Sequence, residues 1–262
     1  MSRHHKSRRD KIVNASFIIV GILFLCFIFF AVFFPQQFNR IMHTLHGDAA
    51  HSEMTPRNNG IKYDGIDVSH HQGDIDWLLV ASDSNISFVY IKATEGSTHI
   101  DTKYDYNIKN AKKAGLNVGS YHFFTSSSSA VKQFDNFKKH VDKSRQDLLP
   151  MVDVESSGIR NWNKQQLKDS LAVFIWLVKK AYGRYPLIYS DAVFYTSRLS
   201  PRFDKLPLFI ARYNSKASRV KKTDRHFVWQ VSENGSIDGI NHSVDLDVFA
   251  EGTTLKDILL PK

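Results

Sequence analysis

Three features of the 262-residue sequence predict an α/β fold, a β/α barrel preceded by one N-terminal transmembrane helix. From Lys62 onward, short apolar runs rich in β-branched and aromatic residues alternate with longer amphipathic stretches. Strands alternating with helices imply a mainly parallel sheet. Eight such runs, with fewer helical stretches toward the C-terminus, describe an irregular TIM-like β/α barrel of eight strands and about five helices. Its last third has lost its crossover helices. The third feature lies ahead of the barrel: a nearly unbroken apolar run with a basic flank.

That run, IVNASFIIVGILFLCFIFFAVFF, covers 12–34. Its 23 residues suffice to cross a ~30 Å hydrocarbon core with slight tilt. A buried globular helix is seldom apolar on every face for six turns. A cleaved signal peptide has a shorter apolar core and small residues at its cut, whereas this run ends in VFFPQQF. An uncleaved anchor is therefore expected. Arg3, Lys6, Arg8, Arg9 and Lys11 precede it and only Arg40 closely follows. This asymmetry keeps residues 1–11 cytoplasmic and places the rest outside, at a cell (inner) membrane. Residues 35–60 are polar and aperiodic, and read as a juxtamembrane tether to a barrel over 61–262.

Charge and cysteine content narrow the classes. Residues 1–40 hold six Lys/Arg and one acid, and the remainder holds 29 basic and 25 acidic groups. More than half of the net charge of +9 is thus a topology signal, which weakens a nucleic-acid reading. Cys26 is the only cysteine, so no disulfide staples the exported part. Its stability must come from a core, and ~200 residues are enough for one.

The expected strands are 63–69, 87–93, 117–124, 148–155, 186–190, 207–213, 226–232 and 243–249. The expected helices are 75–81, 103–114, 130–143, 164–182 and a short one at 192–199. Asp74 and Asp76 favour the positive end of the first helix. The serine run 126–129 reads as a loop and a helix start. Gly115 and Gly183 mark helix C-termini. Trp162, Phe174 and Trp176 are expected to pack the fourth helix onto the barrel.

In parallel barrels chemistry gathers at the C-terminal strand ends. Polar and aromatic residues recur there: Asp67, Lys92 and Glu95, Tyr121 and His122, Asp153 and Glu155, Tyr189, Tyr213, Trp229 and Gln230, and Asp245 or Asp247. Carboxylates among aromatic platforms suit a carbohydrate, with Tyr121, Tyr189, Tyr213, Trp229 and Gln230 as binding residues. Alternation places Asp153 and Glu155 on one strand face, with Cα atoms roughly 6.5–7 Å apart. Two such carboxyls in a partly desolvated cleft cannot easily both ionise, so one holds a proton and can act as a general acid. His70 and His71, adjacent at a strand end, should point opposite ways, and no HExxH or HxxEH pattern occurs. No metal and no cofactor is expected.

The pieces GIDVSHHQGDIDW (65–77), FVYIKATEGS (88–97), GLNVGSYHFF (115–124), PMVDVE (150–155), PLIYS (186–190), LFIARY (208–213) and VWQVSENGSIDGINHSVDLDVF (228–249) arrive in a recognisable order. Together they resemble glycoside hydrolase family 25, the muramidases often called Chalaropsis-type lysozymes. The resemblance spans about 190 residues and implies the same irregular barrel. It implies cleavage of the β-1,4 bond after N-acetylmuramic acid in peptidoglycan, by a monomer acting on glycan strands. By position, Glu155 matches the general acid and Asp153 its partner, while Asp67 and Asp245 match the other acids of the cleft. Asp247 stands two residues on, where the family often has Asn. A substrate-assisted route and an inverting route with Asp67 or Asp245 activating water both fit. A non-hydrolytic peptidoglycan-binding or scaffolding barrel is the alternative class, and its signature would be a broken acid set.

Overall fold

A computed structural model describes residue 29, residues 57–213 and residues 225–261. The expected span 12–34, apart from residue 29, and most of the tether lie outside them. No helix among the described residues is long and apolar enough to cross a membrane. A turn at Arg57–Gly60 already belongs to the barrel: the Asn58 side chain donates to the Ser236 carbonyl and accepts from its N–H, at 3.2 and 2.7 Å.

Nine strands form one sheet: β1 (Gly65–Val68), β2 (Phe88–Glu95), β3 (His99–Ile100), β4 (Asn117–Phe123), β5 (Met151–Asp153), β6 (Leu187–Asp191), β7 (Leu208–Ala211), β8 (His226–Gly235) and β9 (Val244–Phe249). Their order is β1-β9-β8-β7-β6-β5-β4-β2-β3, and a further β1–β2 pairing closes eight of them into a ring. Every pairing in the ring is parallel except those of β9, which runs antiparallel to both β8 and β1. A hairpin therefore closes the barrel where the sequence shows no crossover helix. The two-residue β3, which periodicity does not reveal, folds back on the end of β2.

The helices are α1 (Trp77–Ser82), α2 (Tyr104–Lys113), α3 (Ala130–His140), α4 (Lys164–Tyr182), α5 (Ala192–Phe194, continued to Leu199 by a wider π turn) and α6 (Leu255–Ile258). Asp76 caps α1 by accepting from the N–H groups of Leu78 and Leu79, so the acids at 74–76 precede the helix rather than enter it. Ser129 caps α3. Asn163 and Gln166 form a capping box on α4, and Gly183 ends it at φ +86°, a conformation glycine adopts without steric cost. Trp176 departs from expectation. It is exposed on α4 with the Lys180 ammonium over its ring, whereas Phe174 is buried against His122.

Two packing decisions leave an opening at one end of the barrel. Phe88 and Tyr90 of β2 point inward and fill the lower interior beside Phe209 and Phe249. They have room because the facing strands carry Gly65 and Gly119: a Cβ there would lie 2.5 Å and 2.4 Å from the Phe88 and Tyr90 rings. Each ring buried in this way contributes about 1.5–3 kcal/mol. Outward-facing Ile66, Val68, Val89 and Ile91 are also buried, so the strands read as continuous apolar runs. The upper end, where the parallel strands finish, stays open.

Candidate active site

The opening is a cavity of about 170 Å³ lined by residues from β1, β4, β5, β6, β8 and β9 and the turns that follow them. Asp67, Tyr121, Asp153, Glu155, Tyr189, Gln230 and Asp245 all face it. These seven come from six strands or the chain just after them, separated by up to 178 positions, and the closed ladder, parallel except at β9, brings them to one cavity.

Asp153 ends β5, and Glu155 follows in extended chain because the Val154 N–H bonds to the Tyr189 carbonyl at 2.9 Å. Val154 turns into the apolar layer and the two carboxyls turn into the cavity. Asp153 lies deeper, only 7% exposed, and its Oδ1 is buried with no hydrogen-bond partner. Burial pushes its pKa well above the ordinary value, reinforced by the charges of Glu155 and Asp67. Glu155 is also raised, first by burial and then by the Asp191 carboxylate, while the Ser157 hydroxyl at 3.2 Å opposes the shift.

Asp67 and Asp245 form a second carboxyl pair. The β1–β9 ladder sets them directly opposite each other. Burial and the Asp245 charge push Asp67 well up, and the same burial raises Asp245 to about 6. Each carboxyl lies within electrostatic reach of the other, and the Asp245 charge is the largest cause after burial of the rise at Asp67. A chain of polar contacts holds Asp67 from the other side. Tyr189 and Tyr213 donate their hydroxyls to Gln230 Oε1, the former at 2.8 Å, which turns the amide NH₂ toward Asp67 Oδ2 at 2.7 Å.

The antiparallel run of β9 also separates Asp245 from Asp247. Asp245 sits at the start of its strand, level with the cavity, so it is not a strand-end residue as the parallel rule supposes. Asp247 points the same way but two residues deeper, beside Gly65, fully buried and without a partner for either oxygen. It does not line the cavity.

Two expected binding residues stand elsewhere. Tyr213 is 47% exposed at the rim and reaches the site only through Gln230. Trp229 neighbours Gln230 on β8, and strand alternation turns it to the opposite face, where it stacks with His226 and lies under Arg212. His70 and His71 do not diverge either. They lie on a single 3₁₀ turn rather than a strand, and their ring centroids are 4.0 Å apart.

The site also contains groups with no assigned part, of which Lys92 and Glu95 were visible as strand-end residues. The Lys92 ammonium pairs with Glu95 at 2.8 Å, rests over the Phe123 ring, and favours the ionised forms of Asp153 and Glu155. Asp191 ends β6 and caps α5, and its charge acts on Glu155. Ser69, His71, Gln72 and Met151 complete the lining.

Four crowded carboxyls, all pushed upward and all facing one open cavity, suit general-acid cleavage of a glycosidic bond. The sequence model of glycosyl hydrolases family 25 matches residues 66–240, and the chain belongs to that family of glycoside hydrolases. It is 38% identical over 189 residues to YegX of Escherichia coli (strain K12), covering 71% of this chain and 68% of that protein. It is 33% identical over 190 residues to the autolytic lysozyme of Clostridium acetobutylicum, covering 72% and 56%. Among solved structures, the bacterial lysozyme from Streptomyces coelicolor superposes with a TM-score of 0.66 at 30% identity, over 75% of this chain and 95% of that one.

Proposed function

We propose that the protein is a membrane-anchored N-acetylmuramidase that hydrolyses the β-1,4 bond between N-acetylmuramic acid and N-acetylglucosamine in peptidoglycan. The observation that carries the chemistry is the Asp153–Glu155 pair. Glu155 is the more open of the two and keeps its proton above the usual carboxyl range, which suits a general acid at the glycosidic oxygen. Asp153 lies deeper with an unpartnered Oδ1, and the N–H of a sugar 2-acetamido group would supply that oxygen with a donor.

In this reading Glu155 protonates the leaving oxygen as the C1–O bond breaks. The acetamido carbonyl oxygen attacks C1 and forms a cyclic oxazolinium. Asp153 accepts the acetamido N–H and stabilises the positive charge. Water then adds to C1, Glu155 takes its proton, and the anomeric configuration is retained. The Asp67–Asp245 pair, held by Gln230, lines the other side of the cleft and binds sugar hydroxyls.

Anchoring, with the barrel outside the cytoplasm, is the reading that the apolar run 12–34 and its basic flank support. The tether would confine hydrolysis to wall near the protein's own membrane.

One experiment tests the chemistry. Purified protein is incubated with peptidoglycan, new reducing ends are identified, and product anomers are followed by NMR. Reducing N-acetylmuramic acid released as the retained β-anomer is expected, and Glu155→Gln should abolish release while the glycan still binds. Initial formation of the α-anomer would replace the substrate-assisted route with the inverting one. Near-normal turnover by Glu155→Gln would remove the general-acid assignment.

A further inference from the structure

The paired histidines of the β1 turn have no part in the chemistry above, yet a buried carboxylate is devoted to one of them. Asp101 is 2% exposed. It is delivered by β3: the Asp101 N–H bonds to the Ala93 carbonyl at 2.9 Å, directly after the two-residue strand. Its oxygens accept from the backbone N–H of His70 at 3.0 Å, from His70 Nδ1 at 2.7 Å and from the Lys103 N–H at 2.9 Å. A carboxylate so deeply buried is tolerated because these donors replace its water. The His70 ring is thereby fixed in tautomer and orientation, with Nδ1–H as the donor.

His71 packs against that fixed ring at 4.0 Å between centroids and contributes to the lining of the catalytic cavity. The turn carrying both is itself closed by a capping box between Ser69 and Gln72. His71 and Glu155 line the same cavity from different strands, His71 on the turn after β1 and Glu155 in the extended chain after β5, three strands away in the ring. Burial and the neighbouring His70 and Lys92 lower the pKa of His71, so its ring is uncharged at neutral pH and can both donate to and accept from sugar hydroxyl and amide groups.

We propose that His71 is a substrate-positioning residue of the cleft, hydrogen-bonding the glycan that meets Glu155, and that Asp101 acts through His70 to hold it there. The proposal rests on the glycan reading of the site. Its test therefore separates binding from hydrolysis. Full-length protein carrying Glu155→Gln, with and without His71→Ala, is titrated against insoluble peptidoglycan in a sedimentation assay. His71→Ala should weaken binding about tenfold, as expected for one lost hydrogen bond to the substrate. In the active background it should raise KM by a similar factor with little change in kcat. His71→Gln, which retains a donor and an acceptor, should restore most of the affinity. Asp101→Asn should weaken binding less than His71→Ala and add nothing when combined with it.

Unchanged binding in His71→Ala overturns the proposal. So does an equal loss in His71→Ala and His71→Gln, or a loss of kcat alone. Additive losses in the Asp101→Asn/His71→Ala double variant overturn the role given to Asp101. If the Glu155→Gln protein binds peptidoglycan while the wild type fails to cleave it, the enzymatic reading fails and the test of His71 stands.

Discussion

Asp67 and Asp245 face each other across the antiparallel β1–β9 ladder, and the Asp245 charge helps burial to raise Asp67, although 178 positions separate them in the chain. Closing the barrel and assembling this half of the site are the same structural event. The pair also spreads the titration of the cleft, since ionisation of one carboxyl makes ionisation of the other harder.

Removal of one member should therefore change the other. Asp245 contributes both charge and a hydrogen bond to the upward shift of Asp67. In Asp245→Asn the charge is gone, so Asp67 should ionise at lower pH than in the wild type, while burial still holds it above 3.8. Carboxyl ¹³C chemical shifts followed through a pH titration would show the displacement. An Asp67 midpoint unmoved by the substitution would mean that the two carboxyls are not coupled.

The alkaline limb of the hydrolysis profile should follow Glu155, which acts only when protonated. Asp191 raises this group and Lys92 lowers it. Asp191→Asn should move the limb to lower pH, and Lys92→Met should move it to higher pH. The two shifts should be opposed, because a nearby like charge raises a carboxyl and a nearby opposite charge lowers it. Measurement of kcat/KM from pH 4 to 9 on a soluble glycan would check both signs.

Asp247 imposes a stability penalty that Asn should remove. Burial raises its pKa in the folded state well above 3.8, so the folded protein binds this proton more tightly than the unfolded chain does. For such a group the contribution to stability is fully present below the unfolded pKa and is lost as pH rises through the folded value. Asp247→Asn should match the wild type near pH 3 and exceed it at neutral pH, by about 2–4 °C in Tm for each 1 kcal/mol recovered. Thermal melts at pH 3, 5 and 7 test the trend, and a difference that shrinks as pH rises would contradict it.

Gly119 should resist replacement. An alanine Cβ would meet the Tyr90 ring at 2.4 Å and Leu148 at 2.9 Å. Neither neighbour can retreat, because Tyr90 is fully buried and tied by its hydroxyl to the Leu149 carbonyl at 3.0 Å. Gly119→Ala should cost about 1–3 kcal/mol, the usual range for overpacking, visible as a lower denaturation midpoint. Gly115→Ala has open space but a φ of +89°, and should cost less.

Local rules made much of this architecture legible in advance. Apolar runs and their polar tips located the ring strands, and the period of two put Asp153 and Glu155 on one face. Caps at Ser129 and Gly183 were visible because they depend on neighbouring residues alone. Properties set by distant partners were not readable. The choice of Asp245 over Asp247 as the residue at the cavity depends on which residue of β9 lies opposite Asp67. The outward turn of Trp229 depends on the phase of β8, a strand interrupted by irregularities in its pairing with both neighbours. The convergence of His70 and His71 depends on a 3₁₀ turn nucleated by the Ser69–Gln72 box. The strand β3 is two residues long and has no period to detect.

The reversed final strand couples closure to chemistry. β9 fills the gap between β8 and β1 and, by the same pairing, sets Asp245 opposite Asp67. A ring without that strand would lack both an unbroken ladder and the second carboxyl pair. Loosening the β8–β9 hairpin would therefore act on stability and on the cleft together.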